Sequence, residues 1–409
     1  MSIGKRHDEI DSQYDKAGPM RMSIRTRLLA GLVATAMLAT FVSSFVGYEQ
    51  NKGAALEENR EHLATLATTR KEEISRLLMR YRIQAMDLSL RPEIAAALGH
   101  FNAAFDKVPN DPKAKALLGK LYSTELAANW SSKGLAVPEL GGLLPNGPGQ
   151  TLQASYMAAN PNPQGRRIDA TSIPGADRLY DSLHKIHHPG LSGFVKAWDY
   201  YDLFLVDNAG NVVYTAFKES DFGNSLRHGP LASTNLAKAV GQASKQERGA
   251  VAFSAIERYL PSYDAPALFV AAPVFVDGKR LGVVALQINI TELDAIMTFA
   301  KSWKKVGLGE TGELLLLDDR GVLLNRSRLE IEDPIEFQTV AKRAGVPAKD
   351  LALAKAVGSS ALALRLSGTG SEEGVRTIPD YLGRRSIVSS LPISVEGDDW
   401  KIVALKTEA

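Results

Sequence analysis

From Leu28 to Tyr48 the chain reads LLAGLVATAMLATFVSSFVGY, 21 residues without one charged side chain. As a helix this run is roughly 31 Å long, the thickness of a bilayer's hydrocarbon core. Arg21, Arg25 and Arg27 precede it, and Glu49, Glu57 and Glu58 follow it. That asymmetry puts residues 1–27 in the cytoplasm and the remainder outside. A cleaved signal peptide is the rival reading. The run and the tail before it are long for one, and no convincing small-x-small cleavage site is present, so an uncleaved anchor spanning 28–48 is expected. LLLLDDRGVLL is interrupted by Asp318, Asp319 and Arg320, and APALFVAAPVFV is short and holds two prolines; neither reads as a second span.

After the span the pattern turns amphipathic. Leu63, Leu66, Ile74, Leu77, Tyr81 and Leu88 recur at threes and fours in a stretch free of proline, which predicts one helix from Glu49 to about Leu90. At roughly 60 Å it is longer than a small domain is wide, so it must run along the ectodomain or pair with another helix. The heptad register breaks at Arg70. Further helices are predicted after Pro92, after Asp111 and from Thr151, with 176–198 as two helical pieces parted by Pro189. Residues 49–150 thus form the stalk helix and a helical N-terminal part of the ectodomain.

From Asp202 the period changes to two. DLFLVD, VVYTAF, AVAFSAIE, PALFVAAPVFV and LGVVALQINI read as strands, with turns at Asn208–Asn211 and Asp277-Gly278 and an intervening helix, STNLAKAVGQA. A helix, TELDAIMTFAKSW, closes this module. A smaller version restarts at GELLLLDDRGVLLNRS, whose hairpin turns at Asp318–Gly321, and continues through two helices to ALALRLSGT, GRRSIVSSLPIS and WKIVALKT. The reading is an α+β fold with an internal duplication: a membrane-distal module at 151–306 and a membrane-proximal one at 307–409.

Composition then narrows the functions. Apolar content of 45% and charge of 23% describe an ordinary globular body, and a net charge of +2 gives no reason to expect nucleic acid. Zero cysteines exclude disulfides, thiol catalysis and zinc–thiolate sites. GLGETG, Gly307 to Gly312, has the dinucleotide spacing, but a helix precedes it and a strand follows, the reverse of that fingerprint; it reads as the linker between modules. His184, His187 and His188 read as a helix-end cluster rather than a metal site, no supporting carboxylate being evident. No nucleophile elbow or P-loop is present, so neither enzyme activity, metal nor cofactor is expected. Glu219 and Asp221 would suit acid–base chemistry by spacing alone.

The hairpin exit stands out. Tyr201, Asp202, Tyr214, Lys218 and Asp221 lie on paired strands, with RYLPSYDAP on a neighbouring one. Aromatic walls with a few fixed charges suit a small polar ligand. Lys218 and Asp221 are expected to project from the second strand and pair with each other; a solvated strand end is the alternative.

LQASYMAANPNPQG, HHPGLSGFVKAWDYYDLFLVDNAGNVVYTAFKESDFGNSL, YLPSYDAPALFVAAPVFVDGKRLGVVALQINI and GLGETGELLLL together resemble the double-Cache sensor ectodomains of bacterial transmembrane receptors: chemotaxis proteins and related sensor cyclases, kinases and phosphatases. The resemblance covers about residues 28 to 405. It implies two stacked PAS-like Cache modules on one long helix; with its one apolar run this chain reads as a single-pass inner-membrane protein, most of it periplasmic, and its long helix as the seam of a homodimer. It also implies a ligand in the distal module, which places Tyr201, Asp202, Tyr214, Lys218 and Asp221 at the pocket with Tyr263 and Phe269 on the facing strand. An arginine followed by Trp-Tyr, the amino-acid signature of many such domains, is absent. The family continues into a second membrane helix and an output domain, so a chain ending at Ala409 reads as a fragment or as one that signals through partners. The expected function is therefore small-molecule sensing, with a periplasmic enzyme or an accessory scaffold as the alternatives.

Overall fold

The structure, a computed structural model of the chain, describes residues 23–357, 359, 365–366, 373–395 and 398–408. The expected cytoplasmic tail as far as residue 22 and nearly all of the expected strand ALALRLSGT lie outside them. Two compact units divide the chain, Met1–Glu58 and Asn59–Ala409. Span and stalk are one continuous helix, α1 (Ile24–Leu90). In the first unit Leu28, Leu32, Phe41 and Phe45 are exposed, and this part of α1 is long and apolar enough to cross a membrane. Thr35 and Thr40 turn their hydroxyls back onto the carbonyls of Gly31 and Ala36, which gives those two hydroxyls partners within the helix.

In the second unit α1 buries Leu63, Ala67, Ile74, Leu77, Tyr81, Ala85 and Leu88, the stripe expected from the sequence. Helices α2 (Pro92–Phe105), α3 (Ala114–Leu121), α4 (Ala127–Ser132) and α5 (Pro148–Gln153) follow, then α6 (Arg178–Ala197). Pro189 does not part α6, contrary to expectation. Losing one backbone donor costs on the order of 3 kcal/mol, but the buried face from Tyr180 through His184 and His188 to Val195 continues across it and holds the helix together.

The first sheet contains β1 (Asp202–Asp207), β2 (Val212–Thr215), β3 (Ala252–Phe253), β4 (Glu257–Tyr259), β5 (Ala265–Val276) and β6 (Lys279–Ile288). Its order is β2-β1-β6-β5-β3, antiparallel throughout, with β4 also on β5. Helix α7 (Asn235–Ala243) is capped by Thr234, and its apolar side joins Phe204, Val212, Phe269, Val283 and Ala285 in one core. The next helix, α8 (Thr291–Met297), is shorter than the pattern suggested and ends in a turn with left-handed residues at 299–301.

The second sheet contains β7 (Glu313–Leu317), β8 (Gly374–Pro379), β9 (Arg385–Val395) and β10 (Asp398–Thr407), in the order β7-β10-β9-β8. Between β7 and β8 lie α9 (Arg328–Glu332), α10 (Pro334–Arg343) and α11 (Ala348–Val357). Leu317 bridges Leu323 beyond β7, where β2 lies in the first sheet, so both sheets follow one plan. The duplication is present in the topology. Arg258 and Asp350 join the modules at 2.7 Å. Along α1, Asn59 meets Lys406 near the end of the second module and His62 meets Val306 just before that module begins, whereas Gln84 meets Tyr200 of the first.

Candidate functional site

The site grows from the root of the first hairpin. Asp202 opens β1, and its Oδ1 accepts the amides of Leu203, Ala216 and Phe217 at 2.6, 2.8 and 3.0 Å. Those bonds pull the chain off the sheet right after Thr215. Lys218 and Asp221 therefore do not stand on the second strand, as the alternation suggested; they sit in the loop that leaves it. Thr215 Oγ1 accepts the Lys218 amide, and Lys218 takes a left-handed backbone at φ 62°, an uncommon conformation for a residue with a side chain. Its ammonium folds back to the Thr215 carbonyl and lies 4.2 Å from the ring centre of Tyr214 and 5.2 Å from that of Phe222. The loop closes against α5 at Gly223, where a Cβ would stand 2.7 Å from Gly149 Cα.

Four ionisable side chains are thereby removed from water: Asp202, Lys218, Glu219 and Asp221, none more than 3% exposed. Glu219 accepts Tyr201 Oη on one oxygen and Ser262 Oγ on the other, at 2.9 and 3.1 Å; Gln287 Nε2 donates to the same Ser262 at 3.1 Å. Asp221 Oδ2 accepts Tyr259 Oη at 2.9 Å. Three buried acceptors have no partner: Asp202 Oδ2, Asp221 Oδ1 and Gln287 Oε1. Among the described residues no ion pair joins Lys218 to either aspartate. The anticipated Lys218–Asp221 pair is replaced by the carbonyl and the aromatic rings.

Burial dominates the electrostatics. It pushes Asp202 up to about 8, helped by the Asp221 charge, and Glu219 up to about 8, helped by Asp221 and Asp202. It pushes Asp221 up to about 6 against the Tyr259 hydrogen bond. It pulls Lys218 down to about 7 against the attraction of both aspartates. His188 is pulled down to about 3 by burial and by Lys218; one ring nitrogen meets Tyr214 Oη at 2.7 Å and the other the Ile168 carbonyl at 2.8 Å. His184 stacks on it at 4.2 Å.

Of the expected site residues, Tyr201, Asp202, Tyr214, Lys218 and Asp221 come together around this enclosure. Tyr263 stands on its flank, left-handed at φ 59° and half-buried, its hydroxyl meeting Asn129 at 3.2 Å. Phe269 lies beneath, edge-on to Tyr259 at 4.8 Å. Sequence reasoning noted Glu219 only for its spacing from Asp221, did not single out Tyr259 or Ser262 within RYLPSYDAP, and passed over Gln287; these reach the site from segments distant in sequence. It also passed over Arg167. That guanidinium is 2% exposed, meets Glu125 at 2.6 Å, and has two buried nitrogens without partners. A basic residue in an otherwise structural turn was the only signal for it.

No protein-family model matches the chain, and no curated protein does. Among solved structures, the chain is similar to the ligand-binding domain of the Pseudomonas aeruginosa PAO1 amino acid chemoreceptor PctC in complex with GABA (14% identity, 57% of this chain and 86% of that chain, TM-score 0.34). The ligand-binding domain of PctB from the same organism, in complex with L-Gln, shares 17% identity over 51% of this chain and 68% of that one, with a TM-score of 0.32. That of the Pseudomonas fluorescens chemoreceptor CtaA, in complex with L-leucine, shares 14% identity over 52% and 72%, with a TM-score of 0.30. At such TM-scores these likenesses assign neither ligand nor activity. The topology speaks for itself. It is two antiparallel sheets of one plan beside one long helix, the layout expected from the resemblance in the sequence.

Proposed function

We propose that this chain is the small-molecule sensor of a transmembrane signalling receptor. Its N-terminal span anchors it in the cell membrane, its body lies outside the cytoplasm, and the module at 151–306 binds a small polar ligand without chemical turnover. The observation that carries this reading is the enclosure around Lys218, in which buried acceptors on Asp202, Asp221 and Gln287 lack partners. An unpaired buried acceptor costs about 1–3 kcal/mol, and a ligand bearing N–H or O–H groups would remove that cost. Arg167 offers donors for an anionic end on the flank by Tyr122 and Tyr263, both of which feel its charge.

The test is thermal-shift screening of the full chain in detergent against amino acids, amines and carboxylates. A hit should bind Asp221→Ala and Lys218→Ala at least about tenfold more weakly, a loss of about 1.4 kcal/mol, while circular dichroism shows both variants folded. A panel without any hit, or hits indifferent to both substitutions, would remove the sensor reading from this site.

Signalling on this reading runs through paired copies of α1, whose Met79, Ile83 and Leu90 are exposed along one side. Cysteines introduced singly from 76 to 90 should crosslink with helical periodicity; a flat profile would count against pairing through this helix.

A further inference from the structure

The charge count of the enclosure carries a second conclusion, which rests on the reading above. Three carboxyl groups and one ammonium are buried together, and Arg167 is already engaged by Glu125. With all of them ionised the enclosure would hold a net negative charge away from water, which the low-dielectric interior does not tolerate. Either protons or a cation must neutralise the carboxyls.

We propose that the enclosure exchanges protons for a cation: a ligand carrying a cationic nitrogen enters as Asp202, Glu219 or Asp221 gives up its proton, so that occupancy rises with pH. The surroundings supply no other counter-charge. Tyr201 faces the acids from the edge of β1, Tyr214 from β2, and Tyr259 and Ser262 from β4 and the turn after it. Gln287 of β6 meets Ser262, and Gln153, at the end of α5, holds the Ser220 carbonyl while accepting Tyr122 Oη. From α6 come His184 and His188, whose pKa values are lowered by burial and by Lys218. Tyr156 lies 5.8 Å from the Lys218 ammonium. All of these are neutral near pH 7, so among the described residues that face the three acids Lys218 is the one cation.

The sign follows by linkage. Carboxyls raised in the folded state stabilise it fully at and below the ordinary carboxylate range, and lose that effect as pH rises through about 6 for Asp221 and about 8 for Asp202 and Glu219. Lys218 acts oppositely: its contribution is present above the ordinary lysine range and is lost as pH falls through about 7. Between about pH 5 and pH 8 the carboxyls therefore make the ligand-independent stability fall as pH rises.

The experiment has two arms, both on the full chain in detergent. The first records Tm from about pH 5 to pH 9 for the wild type, Glu219→Gln and Asp202→Asn. The amide variants should gain on the wild type as pH rises; curves that stay parallel to wild type overturn proton binding here. The second adds methylammonium chloride, potassium chloride or sodium acetate at equal ionic strength near pH 5.5 and near pH 8.5. Methylammonium should stabilise the wild type at the higher pH, with affinity rising about tenfold per pH unit for each proton released, and should lose its effect in Asp202→Asn. Stabilisation by potassium alone assigns the exchange to an inorganic cation and overturns the cationic-nitrogen ligand. A stronger effect of acetate at low pH, or no effect of any probe, overturns the exchange. A neutral or anionic screening hit that is abolished in Asp221→Ala but insensitive to pH would leave the sensor reading intact while sinking this inference.

Discussion

Asp202 and Glu313 stand at the same place in their modules, the first residue of the first strand, and a constant offset in numbering relates their hairpins. Asp207 accepts the Asn211 amide at 2.7 Å as Asp318 accepts the Val322 amide at 2.7 Å, and Gly210 and Gly321 close the two turns. Asp202 accepts the amide of Phe217, and Glu313 that of Arg328 at 2.8 Å. The likeness then stops. Glu313's other oxygen accepts Tyr381 Oη at 2.6 Å, so both of its oxygens are satisfied within the chain, whereas Asp202 keeps Oδ2 unpaired. Beyond the hairpin, the second module sends Arg328 to the carbonyls of Gly309 and Gly312, while the first sends Lys218 into an aromatic wall. A buried acid with full hydrogen bonding is architecture; one with a free oxygen beside a buried lysine is a place where a partner gains something.

The largest effect should come from Asp202→Ala, which leaves the Leu203 and Phe217 amides without this acceptor while Ala216 keeps the Leu203 carbonyl, and should cost about 3 kcal/mol in urea unfolding. Asp202→Asn keeps Oδ1 and should stay within about 1 kcal/mol of wild type. If the two variants unfold alike, the amide bonds are not what holds the hairpin root. Glu313→Ala should cost about 2–3 kcal/mol yet leave the affinity of any screening hit unchanged. A loss of binding there would erase the division of labour between the modules.

Gly223→Ala meets Gly149 and a φ of 74°, whereas Gly345→Ala meets a φ of 81° with nothing within 4 Å. Both bear the left-handed penalty of roughly 1 kcal/mol, and only the first should lose clearly more, as comparison of their urea midpoints would show. Tyr381→Phe should cost about 1–2 kcal/mol and create in the second module the unpaired acid the first already has. The smallest contrast is Asp207→Ala against Asp318→Ala. Each removes the acceptor of its turn amide, about 1 kcal/mol apiece; Asp318→Ala also frees the Arg320 amide and the exposed Arg320 guanidinium, so its loss should be the larger by up to about 1 kcal/mol. A larger loss for Asp207→Ala would mean that the hairpins are only superficially alike.

Much of the architecture was legible because it rests on local periodicity. An uncharged 21-residue run, the stripe from Leu63 to Leu88, and the two Asx-Gly hairpins each declare themselves within a few residues. The duplication was readable for the same reason, since one strand–turn–strand pattern recurs. The site was half legible: Lys218, Asp221 and the flanking aromatics drew notice as charges among rings. Their backbone was misjudged because strand alternation cannot register that Asp202, from the neighbouring strand, captures the amides of Ala216 and Phe217 and ends β2 early.

Sequence alone determined the apolar helix long enough to span, the α+β class, the order of the two sheets and the stretch that carries the charged cluster, all properties set by side-chain period and turn chemistry. Only the tertiary structure decided what is buried with what. It set Glu219 against Tyr201 and Ser262, Asp221 against Tyr259, and Lys218 against Tyr214, contacts made across strands and loops up to 43 residues apart. The charge state of a carboxyl depends on that burial and on those neighbours, not on its place in the chain. For that reason a pattern that reads as a solvated strand end becomes, once folded, a closed cluster of three acids and one lysine.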